Sequence, residues 1–119
     1  MKIKINNKPY QVKEAYTDEE KSKGLSNLKE LPKDEGMLFY FDPPEDVSFW
    51  MKDTLIPLDI IFINENYEVT KVVEGKPNDE TPILEKDVAY VLEVNKDSGI
   101  KVGDELDLGE SAPVMKVLN

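Results

Sequence analysis

Apolar and polar positions alternate with a period of two along most of this chain, which predicts strands rather than helices. Ile3 and Ile5, then Tyr10 and Val12, flank Asn6-Asn7-Lys8 and predict an N-terminal β-hairpin. Gly36 to Phe41 is the next strand, expected to stop at Asp42-Pro43-Pro44-Glu45 because proline donates nothing to a ladder. Val47 to Met51 is expected to form a separate strand. Leu58 to Ile63 is apolar at every position except Asp59, so it reads as a strand covered on both faces. Val69 to Val73 follows and fades into Gly75 to Pro82, expected to be a mobile loop. Val88, Tyr90, Leu92 and Val94 share one face of a strand, with Ala89, Val91 and Glu93 on the other. Asn95 to Gly99 and Lys101 to Asp104 are turns. Leu106 and Leu108 begin a late strand, and Val114 to Leu118 is expected to add one more.

The pattern departs from the period of two at Thr17-Asp18-Glu19-Glu20, which fits a capping box with Thr17 as N-cap and Glu20 at the third helical position. The helix it opens is short, near residues 18–23, because Gly24 is a natural stop. Leu25, Leu28 and Leu31 then fold back onto the core. About eight short strands with one small helix predict an α+β, mainly antiparallel fold, a compact barrel or sandwich forming a single domain over residues 1–119.

Composition narrows the chemistry. The 119 residues contain no histidine and no cysteine, which excludes His-based triads, thiol catalysis, disulfides and thiolate metal sites. All 15 basic residues are lysine, so the planar fork that grips phosphates and guanine edges is missing. A net charge of −10 opposes nucleic acid and anionic membranes as partners. The N-terminal Met-Lys-Ile-Lys-Ile-Asn-Asn-Lys has no apolar signal core and no run approaches a membrane span, which predicts a soluble, cytoplasmic protein.

Within this pattern, Ser48 to Ile63 holds the densest chemistry, including Trp50, the chain's single tryptophan. Asp59 and Glu93 lie on strand faces among apolar neighbours and need partners, because burying an unpaired charge costs several kcal/mol. Lys52 falls on the face of Trp50, where its stem can cover the ring while its ammonium reaches a carboxylate. If Lys52, Asp59 and Glu93 converge, burial and charge tune a carboxyl for acid–base work. The plainer and favoured reading has Asp59 capping the Thr54–Pro57 loop and Lys52 pairing with a surface acid. Phe39, Phe41, Phe49 and Phe62 read as core, with Trp50 as the exception that stays partly exposed. The acidic stretches Asp42/Glu45/Asp46 and Asp79/Glu80/Glu85/Asp87 lack the ligand spacing of a calcium loop and read as solvated; no metal or cofactor is expected.

Several blocks, in order, resemble the uncharacterised bacterial and archaeal domain-of-unknown-function 192 family. They are Thr17-Asp-Glu-Glu with Lys23-Gly24-Leu25, Leu31-Pro32, Glu35-Gly36-Met37-Leu38-Phe39, Phe49 to Ile63, Tyr90-Val-Leu-Glu-Val-Asn95 and Gly99-Ile-Lys-Val-Gly-Asp104. The resemblance covers about residues 10–106 and leaves 108–119 as an extra C-terminal strand or tail. Only Lys96-Asp97-Ser98 stands where relatives carry a short helix. The resemblance implies a mainly β fold with a small helix and supplies no reaction.

These readings favour a non-catalytic binding or interaction domain acting through Trp50, Met51, Lys52 and Asp59 on an unknown protein partner or small ligand. One form of it is an accessory subunit of a larger assembly, a phage particle or a cellular one. The alternative is a hydrolase or isomerase using Asp59 or Glu93 with Lys52. A third is a purely structural module.

Overall fold

The computed structural model describes residues 1–109, and the strand expected at 114–118 lies outside them. Its elements are β1 (Lys2–Ile5), β2 (Lys8–Ala15), α1 (Asp18–Lys23), β3 (Glu35–Phe49), β4 (Leu58–Ile63), β5 (Val69–Gly75), β6 (Ile83–Asn95) and β7 (Leu106–Asp107). The helix forms as its cap dictates. The Thr17 hydroxyl accepts from the Glu20 N–H at 3.1 Å, and the Glu20 carboxylate accepts from the Thr17 N–H at 3.0 Å. Gly24 ends it with a positive φ of 49°.

All seven strands belong to one sheet in the order β5-β4-β6-β3-β2-β1-β7. Every pairing is antiparallel except that of β2 with β3, which α1 and its following loop connect as a crossover. The two ends of that order approach each other. The Val69 N–H donates to Asp104 O at 2.9 Å, and the Leu106 N–H donates to Tyr67 O at 2.8 Å. The sheet therefore curls into a half-barrel.

Two corrections concern length. Asp42-Pro43-Pro44-Glu45 does not end a strand: β3 runs for 15 residues through it, and β6 follows alongside for 13. The register shifts between Tyr40 and Glu45, and again before Val47, so the prolines sit in an irregularity where missing ladder bonds cost little. Val47 to Phe49 is thus the far end of β3, and Met51 lies beyond it. The 75–82 segment is also pinned rather than free, with Met51 N–H donating to Asp79 O at 2.8 Å and Asn78 N–H to Thr54 O at 2.9 Å.

Both faces of the sheet are packed. The concave side gathers Ile3, Ile5, Tyr10, Val12, Leu38, Ile61, Ile63, Leu92 and Val94. The other side gathers Phe39, Phe41, Leu58, Ile60, Phe62 and Val91 under Leu25, with Leu28 and Leu31 packed at the margin. Each of the six positions of β4 is buried, as its near-continuous apolar run predicts. Full burial of one such side chain contributes about 1.5–3 kcal/mol, so this strand anchors both layers.

Candidate functional site

The segment after β3 is where three loops meet. Trp50 to Thr54 is tied to the 76–81 loop by the two backbone bonds above, and to the loop after α1 by Asn27 N–H donating to Asp53 O at 2.8 Å. Asp53 supports this junction with a φ of 58°, the left-handed region that Asp tolerates better than most residues. Between this junction, the end of α1 and the distal part of β3 lies an open cleft of about 500 Å³. That volume is in the range of small-molecule sites.

Glu93 forms part of its floor. On β6 the side chain lies on the Val91 face, flanked by Met37 across β3 and Ile60 across β4. Its residue exposure is only 5%, yet no hydrogen bond reaches its carboxyl among the described residues. A Cβ built on Gly24 would sit 3.8 Å from Glu93 Oε1 and 3.5 Å from Phe39 Cζ, so the glycine that ends α1 roofs the acid closely. Burial pushes the Glu93 carboxyl up to about 8, and no cation among the described residues offsets it. At neutral pH the group is largely a protonated acid.

The cleft walls are aromatic and the rim carries lysines. Phe39 and Phe49 meet edge to face at 5.2 Å, and Phe49 meets Phe62 at 5.9 Å. Trp50 is half exposed at the mouth. The Lys52 ammonium lies 5.2 Å from the Trp50 ring centre, and the Lys21 ammonium lies 4.2 Å from that of Phe41. Among the described residues Lys52 forms no ion pair, so its expected carboxylate partner is replaced by the indole face.

The structure brings Lys52 and Glu93 to one cleft and places Asp59 elsewhere. Strand alternation turns Asp59 toward the opposite face, on the side of Ile61 and Ile63. There its Oδ2 accepts from the Ser98 N–H at 3.0 Å and the Ser98 hydroxyl at 2.6 Å, while Ser98 Oγ accepts from the Ile100 N–H at 3.2 Å. Asp59 thus organises the turn after β6, not the Thr54–Pro57 loop. Met51 is 1% exposed, and its thioether fills the room left by Gly75, whose added Cβ would lie 2.5 Å from Met51 Sδ. It is not among the residues lining the cleft.

The acidic stretches serve turns: Asp79 Oδ1 accepts from the Thr81 N–H at 2.9 Å, and Asp46 Oδ1 from the Asp87 N–H at 3.1 Å. No group of three or more acidic side chains gathers as a metal site among the described residues. Sequence reasoning missed Lys21 and Gly24 as parts of the cleft; only the length of α1 hinted that its last turn would reach a strand face. It also missed a row of tyrosines, Tyr16 stacked on Tyr40 at 4.4 Å and Tyr67 on Tyr90 at 5.7 Å, with Tyr40 meeting Tyr90 at 5.6 Å. Glu14 accepts from the Tyr40 hydroxyl at 2.6 Å and from the Tyr16 hydroxyl. Burial first, then the hydrogen bonds of Glu14 and Tyr16, holds Tyr40 far above the ordinary tyrosine range. Tyr40 and Tyr90 of this row also pack against the Ile3–Leu38–Leu92 core.

Comparison with known proteins agrees with this fold. The model of the domain-of-unknown-function family DUF192, described as "Uncharacterized ACR", matches residues 1–108. A protein of unknown function from Novosphingobium aromaticivorans DSM 12444 superposes with a TM-score of 0.86 at 34% identity, covering 90% of this chain and 84% of its own. A suspected transcription regulator from Sinorhizobium meliloti 1021 gives 0.83 at 30% identity, covering 89% and 91%. No curated protein matches the chain. No helix among the described residues is long and apolar enough to cross a membrane.

Proposed function

Because the chain belongs to the uncharacterised DUF192 family, whose name carries no reaction, we propose from its own geometry that it is a non-catalytic binding domain. The cleft beside Trp50 and Lys52 takes a small ligand, or a side chain of a partner, and Glu93 recognises it. One observation carries this reading: a carboxyl on a residue only 5% exposed, with no hydrogen-bond partner among the described residues, borders an open cleft. The little surface this carboxyl keeps opens on the cleft, where a bound partner can hydrogen-bond it in place of water. Trp50 and Lys52 then act as the mouth, one supplying area and the other charge. The regulator label of the Sinorhizobium protein fits a ligand sensor better than a DNA-contacting surface here, since the net charge of −10 opposes the phosphate backbone.

A second reading is favoured by the raised Glu93 carboxyl, which is poised as a general acid near neutrality: a hydrolase or isomerase with Lys52 assisting. Trp50 emission, followed while a panel of small polar compounds is titrated into wild type and Glu93→Gln, separates the readings. Binding expects saturable shifts that weaken in the variant and leave every compound chemically unchanged. Conversion of any compound that stops in Glu93→Gln makes the protein an enzyme. If none of the panel alters Trp50 emission, or the variant responds as wild type does, the cleft is not the site.

A further inference from the structure

We propose that the ligand of this cleft presents a primary ammonium group, as a free alkylamine or a lysine side chain of a partner, and that the ammonium seats on Glu93. The inference rests on the cleft being the binding site and deepens it by naming the chemistry. Three features point the same way. Among the described residues Glu93 receives no donor, and an ammonium supplies three N–H bonds, has no acceptor to leave unpaired, and carries the charge that favours the ionised carboxylate over the neutral acid. The rings around the floor accept ammonium groups already: Lys21 lies on Phe41 and Lys52 on Trp50, both pairs bordering the same cleft. The chain's charge of −10 draws cations toward it and turns anions away.

Binding changes the protonation of the floor. Glu93 enters as a neutral acid near neutral pH and, facing an ammonium, gives its proton to the solvent; the product is a buried carboxylate–ammonium pair. No covalent bond forms or breaks other than that O–H. The other charged groups around the cleft are Asp18, Lys21 and Lys23 of α1, Glu45 and Asp46 of β3, and Lys52 after it. They remain in place in a Glu93→Gln protein, so the difference between the two proteins isolates Glu93.

The test is calorimetry of the full chain with n-butylammonium and with Nα-acetyl-lysine methylamide, in buffers of differing ionisation enthalpy, with butyramide, n-butanol and butyrate as controls. Both cations are expected to bind and to release close to one proton per site at about pH 6, falling toward none above about pH 8. Their affinity rises over that range and is roughly ten- to hundredfold weaker in Glu93→Gln, without proton release. Tighter binding of the lysine probe assigns the group to a partner side chain, and tighter binding of butylammonium assigns it to a free amine. A neutral or anionic control that binds in a Glu93-dependent way while the cations do not overturns the ammonium assignment and leaves the cleft as a site. Absence of any Glu93-dependent binding overturns both. Circular dichroism of Glu93→Gln, expected to match wild type, separates lost recognition from lost folding.

Discussion

A carboxyl held at about 8 in the folded chain, against an ordinary value of 4.5, binds its proton more tightly in the native state than in the unfolded one. Between those two values the unfolded chain has released the proton and the native chain has not, so stability attributable to Glu93 falls as pH rises through that window and levels off above it. Glu93→Gln removes the dependence. The variant is expected to equal wild type near pH 4.5 and to exceed it by about 1–3 kcal/mol near pH 8, read from urea midpoints across the range. A constant difference between the two proteins would show that Glu93 is not the titrating group. Asp59 is as buried, at 8% against 5%, but Ser98 supplies two donors to it. Strand alternation marks both acids in the sequence as inward-facing. What it cannot mark is which one meets a donor, because Ser98 is 39 residues from Asp59 and becomes its neighbour only through the sheet.

β3 shows how far element boundaries depend on the neighbour. Its capped predecessor α1 was legible because every signal is local: Thr17, Glu20 and Gly24 act within one turn of one another. The passage of β3 through Pro43 and Pro44 was not, since a register shift against β6 absorbs the missing donors and that shift is a property of the pair. The same strand depends on a glycine for room. Gly36 pairs with Val94 on one side and Val12 on the other. A Cβ there would lie 2.8 Å from Val94 Cγ1 and closer still to the Glu93 carbonyl oxygen, and the carbonyl is backbone that cannot step aside. Gly36→Ala is therefore expected to cost about 3 kcal/mol or more by overpacking. It is also expected to displace β6 at Glu93, visible as changed Trp50 emission and a lower thermal midpoint. A loss under about 0.5 kcal/mol would mean the strands separate more easily than their packing implies.

The curl of the sheet brings its first and last strands to its far end, with β7 against β1 and both closing toward β5. No periodicity encodes that order, nor the parallel pairing of β2 with β3, because pairing is chosen by packing between distant segments. What the sequence does carry is the charge of the whole. Twenty-five acidic side chains face 15 lysines, and among the described residues a single ion pair forms, Lys96 with Asp97 at 4.0 Å, both ends exposed. Such a pair contributes little in water, so repulsion among the acids dominates the long-range field. Screening shortens the reach of charge from about 30 Å at 0.01 M salt to about 3 Å at 1 M. Sodium chloride is thus expected to stabilise the fold, raising the thermal midpoint by roughly 3–6 °C between about 0.02 and 0.5 M, which corresponds to about 1 kcal/mol for a chain of this size. Choline chloride must do the same, since screening does not depend on the cation's identity; a rise with sodium alone would indicate a bound ion. A midpoint that falls with salt would mean that attractive pairs outweigh repulsion. The same screening weakens capture of an ammonium ligand, so salt is expected to move stability and affinity in opposite directions.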